Sequence, residues 1–282
     1  MKQNFSIVNA LSFDIEDWFH LVGIDAVSSP AKWDALPSIV VKYTRWIIDT
    51  LGQANVRATF FVVGWVADRY PELVKLISES GHELALHSYW HRPVNQLTPE
   101  ELQDDLRRNM DLIEQSSGKK VLGFRAPSFS ITPGDEWAFD VLLDLGLKYD
   151  SSLFPAPRAH GGYPCQKGPH SFNGAPCGQP ILELPMSMLR VGPIKIPFSG
   201  GGYLRLLPAA VICFGFNRLN RLGMPVVVYL HPRDFAIDGP RVAMPLHRRF
   251  KCYVGLKTTE HKLRMLLQYY RFDTCASVLD LE

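Results

Sequence analysis

The sequence lacks strong net charge, long apolar runs and signals for export. Its 30 Lys and Arg against 28 Asp and Glu leave a formal net charge of +2, which argues against a nucleic-acid partner. The longest apolar candidate, residues 206–216, is too short to cross a bilayer. The amino terminus leads directly into a strand without a signal-peptide pattern. We therefore expect a cytoplasmic location and no integral membrane segment.

Other features are missing as well. The five cysteines show no C-x-x-C spacing, and an odd number does not fit a fully paired disulfide framework. Cys165 and Cys177 share a loop rich in glycine and proline; we expect them to be reduced, and whether they pair stays open. Gly200–Tyr203 is not a G-x-G-x-x-G between a strand and a helix, so it does not indicate a dinucleotide site. The locally basic segment 247–262 is interpreted as a solvated surface.

Apolar strand-type runs alternate with helical periodicity through most of the chain. Strands are predicted near 6–13, 58–64, 84–86, 121–124, 147–152, 181–185 and 225–230, and helices near 39–51, 71–80, 99–117, 135–145, 208–222 and 259–270. No biased linker or short repeat divides the chain. We predict a single α/β domain over residues 1–282, with an irregular cleft loop around 155–180 and a C-terminal helical tail around 258–282. The periodicity is compatible with a closed barrel and with an open sheet.

Two histidines follow the apolar run 84–86. His87 and His91 are four residues apart, and on one turn of helix such residues share a face. A catalytic Zn²⁺ usually takes three protein ligands, so this pair is most of a metal site. Asp14, Glu16 and Asp17 come directly after the first predicted strand, and a cluster of three acids is costly without a cation. The third ligand is expected from this cluster.

Further polar groups follow other predicted strands. Arg125-x-Pro127 follows one, Asp150 and two serines follow another, and His231-Pro232 follows the most apolar strand of the chain. Polar residues at strand ends are where α/β folds build their sites. Packing and surface ion pairs remain the alternative interpretation for each of these residues.

The motifs and their order resemble the polysaccharide deacetylases of the NodB-homology type, carbohydrate esterase family four. Phe13-Asp14, Ala58-Thr59-Phe60-Phe61, His87-Ser88-x-x-His91, Arg125-x-Pro127 and Leu230-His231-Pro232 carry the resemblance, which covers about residues 7–235. The segment 200–208 and the C-terminal tail look like the subgroup found in bacterial exopolysaccharide loci. The resemblance implies a distorted (β/α) barrel and metal-dependent removal of N-acetyl groups from amino sugars of a polysaccharide or lipid-linked precursor.

The resemblance also assigns roles. Asp14 would be the general base, His87 and His91 metal ligands, and His231 the acid that protonates the leaving amine. Arg125 would orient Asp14, and Asp150 would partner Arg125. The following residues would bind substrate: Trp90, Ser128 through a nearby backbone amide, and Tyr203. Zn²⁺ is the expected cofactor, with Co²⁺, Ni²⁺ or Fe²⁺ also suited to two histidines and a carboxylate.

The chain departs from the family pattern at two positions. The family has two adjacent aspartates, the second a metal ligand, whereas Ile15 follows Asp14 here. The third ligand is therefore Glu16 or Asp17, and the sequence does not decide between them. Ser128 stands where many members have an aromatic residue, which would change the floor of the sugar site. Two other functions stay open: a small-molecule amidase or deformylase on the same fold, and a carbohydrate-binding module that has lost catalysis.

Overall fold

A computed structural model describes residues 6–156, 161–192 and 194–282. The strands in this part of the chain are β1 (Val8–Ile15), β2 (Thr59–Val62), β3 (Glu83–Leu86), β4 (Gly123–Phe124), β5 (Tyr149–Asp150), β6 (His170–Phe172), β7 (Ile181–Glu183), β8 (Met188–Val191), β9 (Ile194–Pro197), β10 (Val227–Leu230) and β11 (Arg271–Asp273). The helices are α1 (Val40–Ala54), α2 (Gly64–Arg69), α3 (Pro71–Glu79), α4 (Pro99–Ser117), α5 (Trp137–Asp144), α6 (Gly201–Leu206), α7 (Ala209–Arg221), α8 (Leu246–Tyr253), α9 (Leu256–Tyr269) and α10 (Cys275–Val278).

One curled sheet forms the centre of the fold. Its strand order is β10-β1-β2-β3-β4-β5-β7-β6, and all pairs are parallel except β6 with β7. Every residue of β2 and β10 is buried, as expected for parallel strands covered on both faces. The predicted α/β fold is confirmed. Among the described strands, β6 and β10 do not pair with each other, so the sheet is a half-barrel rather than a closed barrel.

The sheet order explains where a site can form. β10, β1, β2, β3 and β4 are neighbours although they come from distant parts of the sequence. The register pairs Phe13 with Leu230 and Leu86 with Phe124, so the residues that follow these positions leave the sheet at the same edge. Polar side chains after these strands are therefore brought together.

Helix ends follow local sequence signals. The Thr98 hydroxyl accepts the backbone N–H of Glu101, and the Glu101 carboxylate accepts that of Thr98, so a capping box begins α4. α1 runs past its predicted end at residue 51 to Ala54, and the next residue, Asn55, adopts a left-handed conformation (φ 51°). Asn tolerates this conformation better than most residues. None of the described helices is both long and apolar enough to cross a membrane.

Three stretches differ from the sequence predictions. The loop expected over 155–180 contains β6, an edge strand on β7; its residues 157–160 lie outside the described part of the chain. The β8–β9 hairpin was not predicted. The C-terminal tail is not purely helical, because β11 pairs with the start of β1 before α10. Cys165 and Cys177 are free thiols in the structure.

Candidate active site

Glu16, His87 and His91 form a buried group at the sheet edge. One ligand atom from each lies within 4.8 Å of the others, and His91 Nε2 is 2.6 Å from Glu16 Oε2. His87 Nδ1 donates to the Arg125 carbonyl oxygen at 2.7 Å, which leaves the Nε2 lone pair facing the site. Burial lowers the pKa of His87 to about 4, so the ring is neutral at physiological pH, as a metal ligand must be.

The Glu16 carboxylate has the properties of a ligand. Oε2 is buried and has no hydrogen-bond partner of acceptable geometry, although His91 Nε2 lies close to it. Oε1 pairs with the Arg233 guanidinium. Burial would raise the pKa of Glu16, but Arg233 and His91 outweigh it and hold the pKa well below its ordinary value. Two imidazoles and an ionised carboxylate fit a divalent ion such as Zn²⁺.

Asp17, the other candidate for third ligand, is engaged elsewhere. Its carboxylate accepts the Ser38 hydroxyl and the backbone N–H groups of Ile39 and Val40 at 3.1–3.3 Å. These groups lie at the beginning of α1, where N–H groups have no partner within the helix. Asp17 therefore caps α1, and the structure places only Glu16 of the two acids with the histidines.

The two histidines do not lie on a helix, contrary to the spacing argument. Residues 87–93 form a loop in which Ser88 and His91 adopt left-handed backbone conformations (φ 63° and 53°). The changes of chain direction at Ser88 and His91 bring the rings of His87 and His91 together, and their centroids are 5.1 Å apart. A left-handed conformation in a residue other than glycine persists only where the surroundings enforce it.

Two polar residues of α4 hold this loop in its conformation. The sequence analysis did not identify them. The Asp105 carboxylate accepts the backbone N–H groups of Tyr89 at 2.5 Å and Trp90 at 3.2 Å. The Asn109 amide donates to the Ser88 carbonyl oxygen at 3.1 Å. Asp105 and Asn109 are buried one turn apart, beside the apolar stripe of an otherwise polar helix. Their position beside the apolar stripe could have indicated that they bind another part of the chain, because buried polar residues need hydrogen-bond partners.

Asp14 and Arg125 form a buried pair beside the histidines. Arg125 Nη1 donates to Asp14 Oδ1 at 2.6 Å and to the Ser12 hydroxyl at 2.8 Å. The other Asp14 oxygen lies 4.0 Å from His87 Nε2 and 3.8 Å from His231 Nε2. Burial would raise the pKa of Asp14, but Arg125 and the two imidazoles outweigh it and lower the pKa. Asp14 is thus an ionised base at neutral pH that faces the centre of the site.

His231 is held by residues that sequence reasoning missed. Its Nδ1 lies 2.9 Å from Asp234 Oδ2, and Arg205 Nε lies 3.3 Å from Asp234 Oδ1. Burial opposes ionisation of Asp234, but Arg205 and His231 lower its pKa far below the ordinary value. An ionised carboxylate on Nδ1 fixes the imidazole and stabilises its protonated form. The spacing of His231 and Asp234, three residues apart around Pro232, could have indicated this contact.

We expect Asp234→Asn to lower kcat at least about tenfold, but by no more than the 10²- to 10⁴-fold that a general acid contributes. The imidazolium loses its stabilising carboxylate, so the basic limb of kcat against pH should move to lower pH. Metal content should not change, because Asp234 is not part of the group formed by Glu16, His87 and His91, which we call the ligand group. The pH profile separates this positioning role from a purely structural one. An unshifted profile would show that Asp234 does not act through His231.

Asp150 does not partner Arg125, contrary to the prediction. Its carboxylate accepts the Ser152 hydroxyl and backbone N–H and faces the Glu183 carboxyl. Arg125 instead contacts the Ser151 carbonyl and hydroxyl oxygens at 3.2 and 3.0 Å. Burial and the adjacent Asp150 raise the pKa of Glu183 well above 4.5, so the two acids share a proton. This pair holds the loop that supports Arg125.

The shared proton predicts a pH-dependent stability. The folded protein keeps a proton on Glu183 that the unfolded chain releases above its ordinary pKa of 4.5, so the free energy of unfolding falls as pH rises. Glu183→Gln removes this titration and keeps a donor toward Asp150. We expect a higher melting temperature than wild type at about pH 8 and no difference at about pH 4. The exposed Glu79→Gln is the control, and an equal difference at both pH values would exclude the shared proton.

The three predicted substrate-binding residues lie around the site in different ways. Ser128 is half-buried in a turn after β4, with a left-handed backbone (φ 56°). Trp90 is half-buried against Tyr89. Tyr203 is 37% exposed on α6. The glycines before it have a packing reason, because a Cβ at Gly200 would lie 1.8 Å from a ring carbon of Tyr229. Contact of these side chains with a sugar stays a prediction.

The structure is a half-barrel α/β protein whose strand ends bring together an ionised carboxylate, the His231 imidazole and a buried group of two histidines and one glutamate. The family follows from comparison. Residues 31–149 match the family model described as polysaccharide deacetylase, and residues 151–280 match a domain of unknown function, DUF3473. Over residues 31–149 the chain is thus similar to the polysaccharide deacetylases. Asp14, Glu16 and His231 lie outside the deacetylase match, so their assignment depends on geometry.

Curated relatives match only in part. A peptidoglycan deacetylase-like protein of Gibberella zeae is 38% identical over 107 residues, which are 38% of this chain and 30% of that protein. A peptidoglycan-N-acetylglucosamine deacetylase of Bacillus cereus is 29% identical over 99 residues, 35% of this chain and 36% of its own. The chain thus spans about a third of the length of these relatives.

Solved structures share the fold. A protein of Mycobacterium smegmatis assigned to the polysaccharide deacetylases aligns over 99% of this chain and 92% of its own, with TM-score 0.64 and 19% identity. A CE4-family pseudoenzyme of Bacillus anthracis aligns over 97% of this chain and 66% of its own, with TM-score 0.52 and 15% identity. Since a pseudoenzyme has the same fold, activity must be argued from the site.

Proposed function

We propose that the protein is a metal-dependent N-deacetylase that hydrolyses the acetamido group of amino sugars in a polysaccharide or lipid-linked glycan precursor. One observation carries the proposal. The buried group Glu16, His87 and His91 lies beside an ionised Asp14 and beside His231. A ligand set, a base and an acid are the three parts that metal-assisted amide hydrolysis uses. The setting we propose is cytoplasmic and belongs to exopolysaccharide biosynthesis.

The residues divide the reaction between them. Asp14 accepts a proton from the water that attacks the acetyl carbon, and Arg125 keeps Asp14 ionised and aligned. As the carbon–nitrogen bond breaks, His231 gives a proton to the amine, and acetate is the other product. Asp234 stabilises the imidazolium before this transfer. A divalent ion held by the ligand group would polarise the acetyl carbonyl and make the water more acidic.

The test measures acetate release and metal content together. We would assay chitin oligosaccharides, free N-acetylglucosamine and small amides with protein stripped by a chelator and then supplied with Zn²⁺, Co²⁺, Ni²⁺ or Fe²⁺. We expect about one ion per chain, as a single site with three protein ligands requires. Acetate release from the oligosaccharides should stop on stripping and return on supply, with Zn²⁺ the expected ion.

Other outcomes separate the alternatives. Release from small amides and not from oligosaccharides would favour the amidase. Oligosaccharide binding without any release, after supply of each metal, would indicate a module that has lost catalysis. Acetate release that survives complete metal removal would contradict metal dependence.

A further inference from the structure

Helix α8 (Leu246–Tyr253) buries none of its side chains. Its two large apolar residues, Leu246 and Phe250, are one turn apart and therefore on one face. They are 80% and 56% exposed. Burial of a Leu or Phe side chain typically contributes about 1.5–3 kcal/mol, and α8 gains little of this from the described chain. Packing within the protein does not explain why this face is apolar.

The part of the sequence that contains α8 is strongly basic, although the net charge of the whole chain is only +2. Residues 151–259 contain 13 Lys and Arg and 3 Asp and Glu, whereas residues 1–150 contain 14 and 21. The three acids of the basic part are already engaged by neighbouring side chains. No acid occurs between Asp238 and Glu260, the stretch that contains α8. Such asymmetry between parts of a chain indicates an anionic partner.

The cations flank the apolar face. At 100° per residue, Arg249 lies on one side of Leu246 and Phe250, and His247 and Lys251 lie on the other; all are exposed. An apolar stripe between cationic flanks is typical of helices that lie in the plane of an anionic bilayer. A soluble polyanion would use the cations but leave Leu246 and Phe250 in water. The combination therefore favours lipid.

α8 is fixed to the catalytic end of the molecule. Arg205 of α6 donates to the carbonyl oxygens of Lys251 at 2.8 Å and Cys252 at 2.6 Å. The same guanidinium contacts Asp234, which holds His231. A surface bound by α8 would therefore lie beside the site.

We propose that α8 is a membrane-docking helix that seats the protein on an anionic bilayer. Leu246 and Phe250 enter the lipid interface, and Arg249 and Lys251 contact headgroup phosphates. The inference stands on the exposure and charge of α8 and does not depend on deacetylation. If the protein both docks on a bilayer through α8 and deacetylates sugars, docking presents the site to N-acetylated sugars carried on lipid.

The experiment is vesicle co-sedimentation of the full chain without any glycan. Wild type should bind vesicles of phosphatidylcholine mixed with phosphatidylglycerol and bind phosphatidylcholine alone weakly. L246S/F250S and R249E/K251E should each lower the partition coefficient at least about tenfold, through lost insertion and lost headgroup contact respectively. Melting curves and acetate release from a soluble oligosaccharide should stay as in wild type.

Helix α7 and Leu222, which directly follows it, offer matched controls with the same kinds of side chain. Phe214 and Leu222 are 54% and 62% exposed, and Arg218 and Arg221 are exposed nearby. F214S/L222S and R218E/R221E should bind vesicles as wild type does. Equal losses in the α7 variants, or no wild-type binding to phosphatidylglycerol, would overturn the assignment. So would binding to soluble polyglutamate as strong as to vesicles and unchanged in L246S/F250S, which would indicate a polyanion site.

Discussion

Replacing Glu16 by Gln is expected to remove both the metal and acetate release. Glu16 is the carboxylate of the buried ligand group, and its Oε2 is the atom without a hydrogen-bond partner. A neutral amide is a poor ligand for a divalent ion. Since the ion supplies several kcal/mol of transition-state stabilisation, kcat should fall about 10³-fold or more. Elemental analysis and acetate release on the same sample measure both effects.

Asp17→Asn is the matched control, one residue away. It should keep the metal and most of the activity, because the Asp17 carboxylate binds the beginning of α1. Asp17→Ala, which removes the side-chain acceptor altogether, should lower the free energy of unfolding by about 0.5–2 kcal/mol, the usual cost of losing a helix cap. The reverse pattern, with metal lost in Asp17→Asn and kept in Glu16→Gln, would contradict the assignment.

Much of the site was predictable because it lies at strand ends. Asp14, Arg125 and His231 each follow or end an apolar run that the sequence shows, and parallel strands bring their carboxyl ends to one edge. The pairing of Arg125 with Asp14, 111 residues apart, was expected from the family resemblance, and the two side chains are in contact in the structure. The strand order that makes this contact possible is not visible in periodicity.

The choice between Glu16 and Asp17 was not predictable from the residues alone. It depends on the direction of each side chain in the turn after β1 and on a partner, Ile39, that is 22 residues away. Asp150 was misassigned for a similar reason. Its partner Glu183 is a second acid 33 residues later, and charge rules predict repulsion unless the two share a proton. Burial decides that protonation, and burial is a property of the fold.

The His87–His91 spacing predicts that the two rings lie close together, as they do, but the helical geometry on which the prediction rested is wrong. Helical spacing and a loop with two left-handed residues both bring positions four apart together, so the sequence could not distinguish them. The difference matters for function. A loop that is held by Asp105 and Asn109 depends on α4 for its conformation. A helix would keep its conformation through its own backbone hydrogen bonds. Ligand geometry is therefore coupled to the packing of α4.

Asp14→Asn is expected to stop catalysis and leave the metal in place. An amide cannot take the proton from the attacking water, so kcat should fall about 10²- to 10⁴-fold, the contribution of a general base. Asn still accepts a hydrogen bond from Arg125, but this fully buried guanidinium loses its counter-charge. We therefore also expect a lower melting temperature, because an unpaired buried charge is costly.

Metal content is the readout that separates the base from the ligands. Asp14 is outside the ligand group, so Asp14→Asn should bind about one ion per chain as wild type does. Oligosaccharide binding should also persist, which a general loss of structure would not allow. Loss of the metal in Asp14→Asn would make Asp14 a ligand. An unchanged kcat would contradict the assignment of Asp14 as the base.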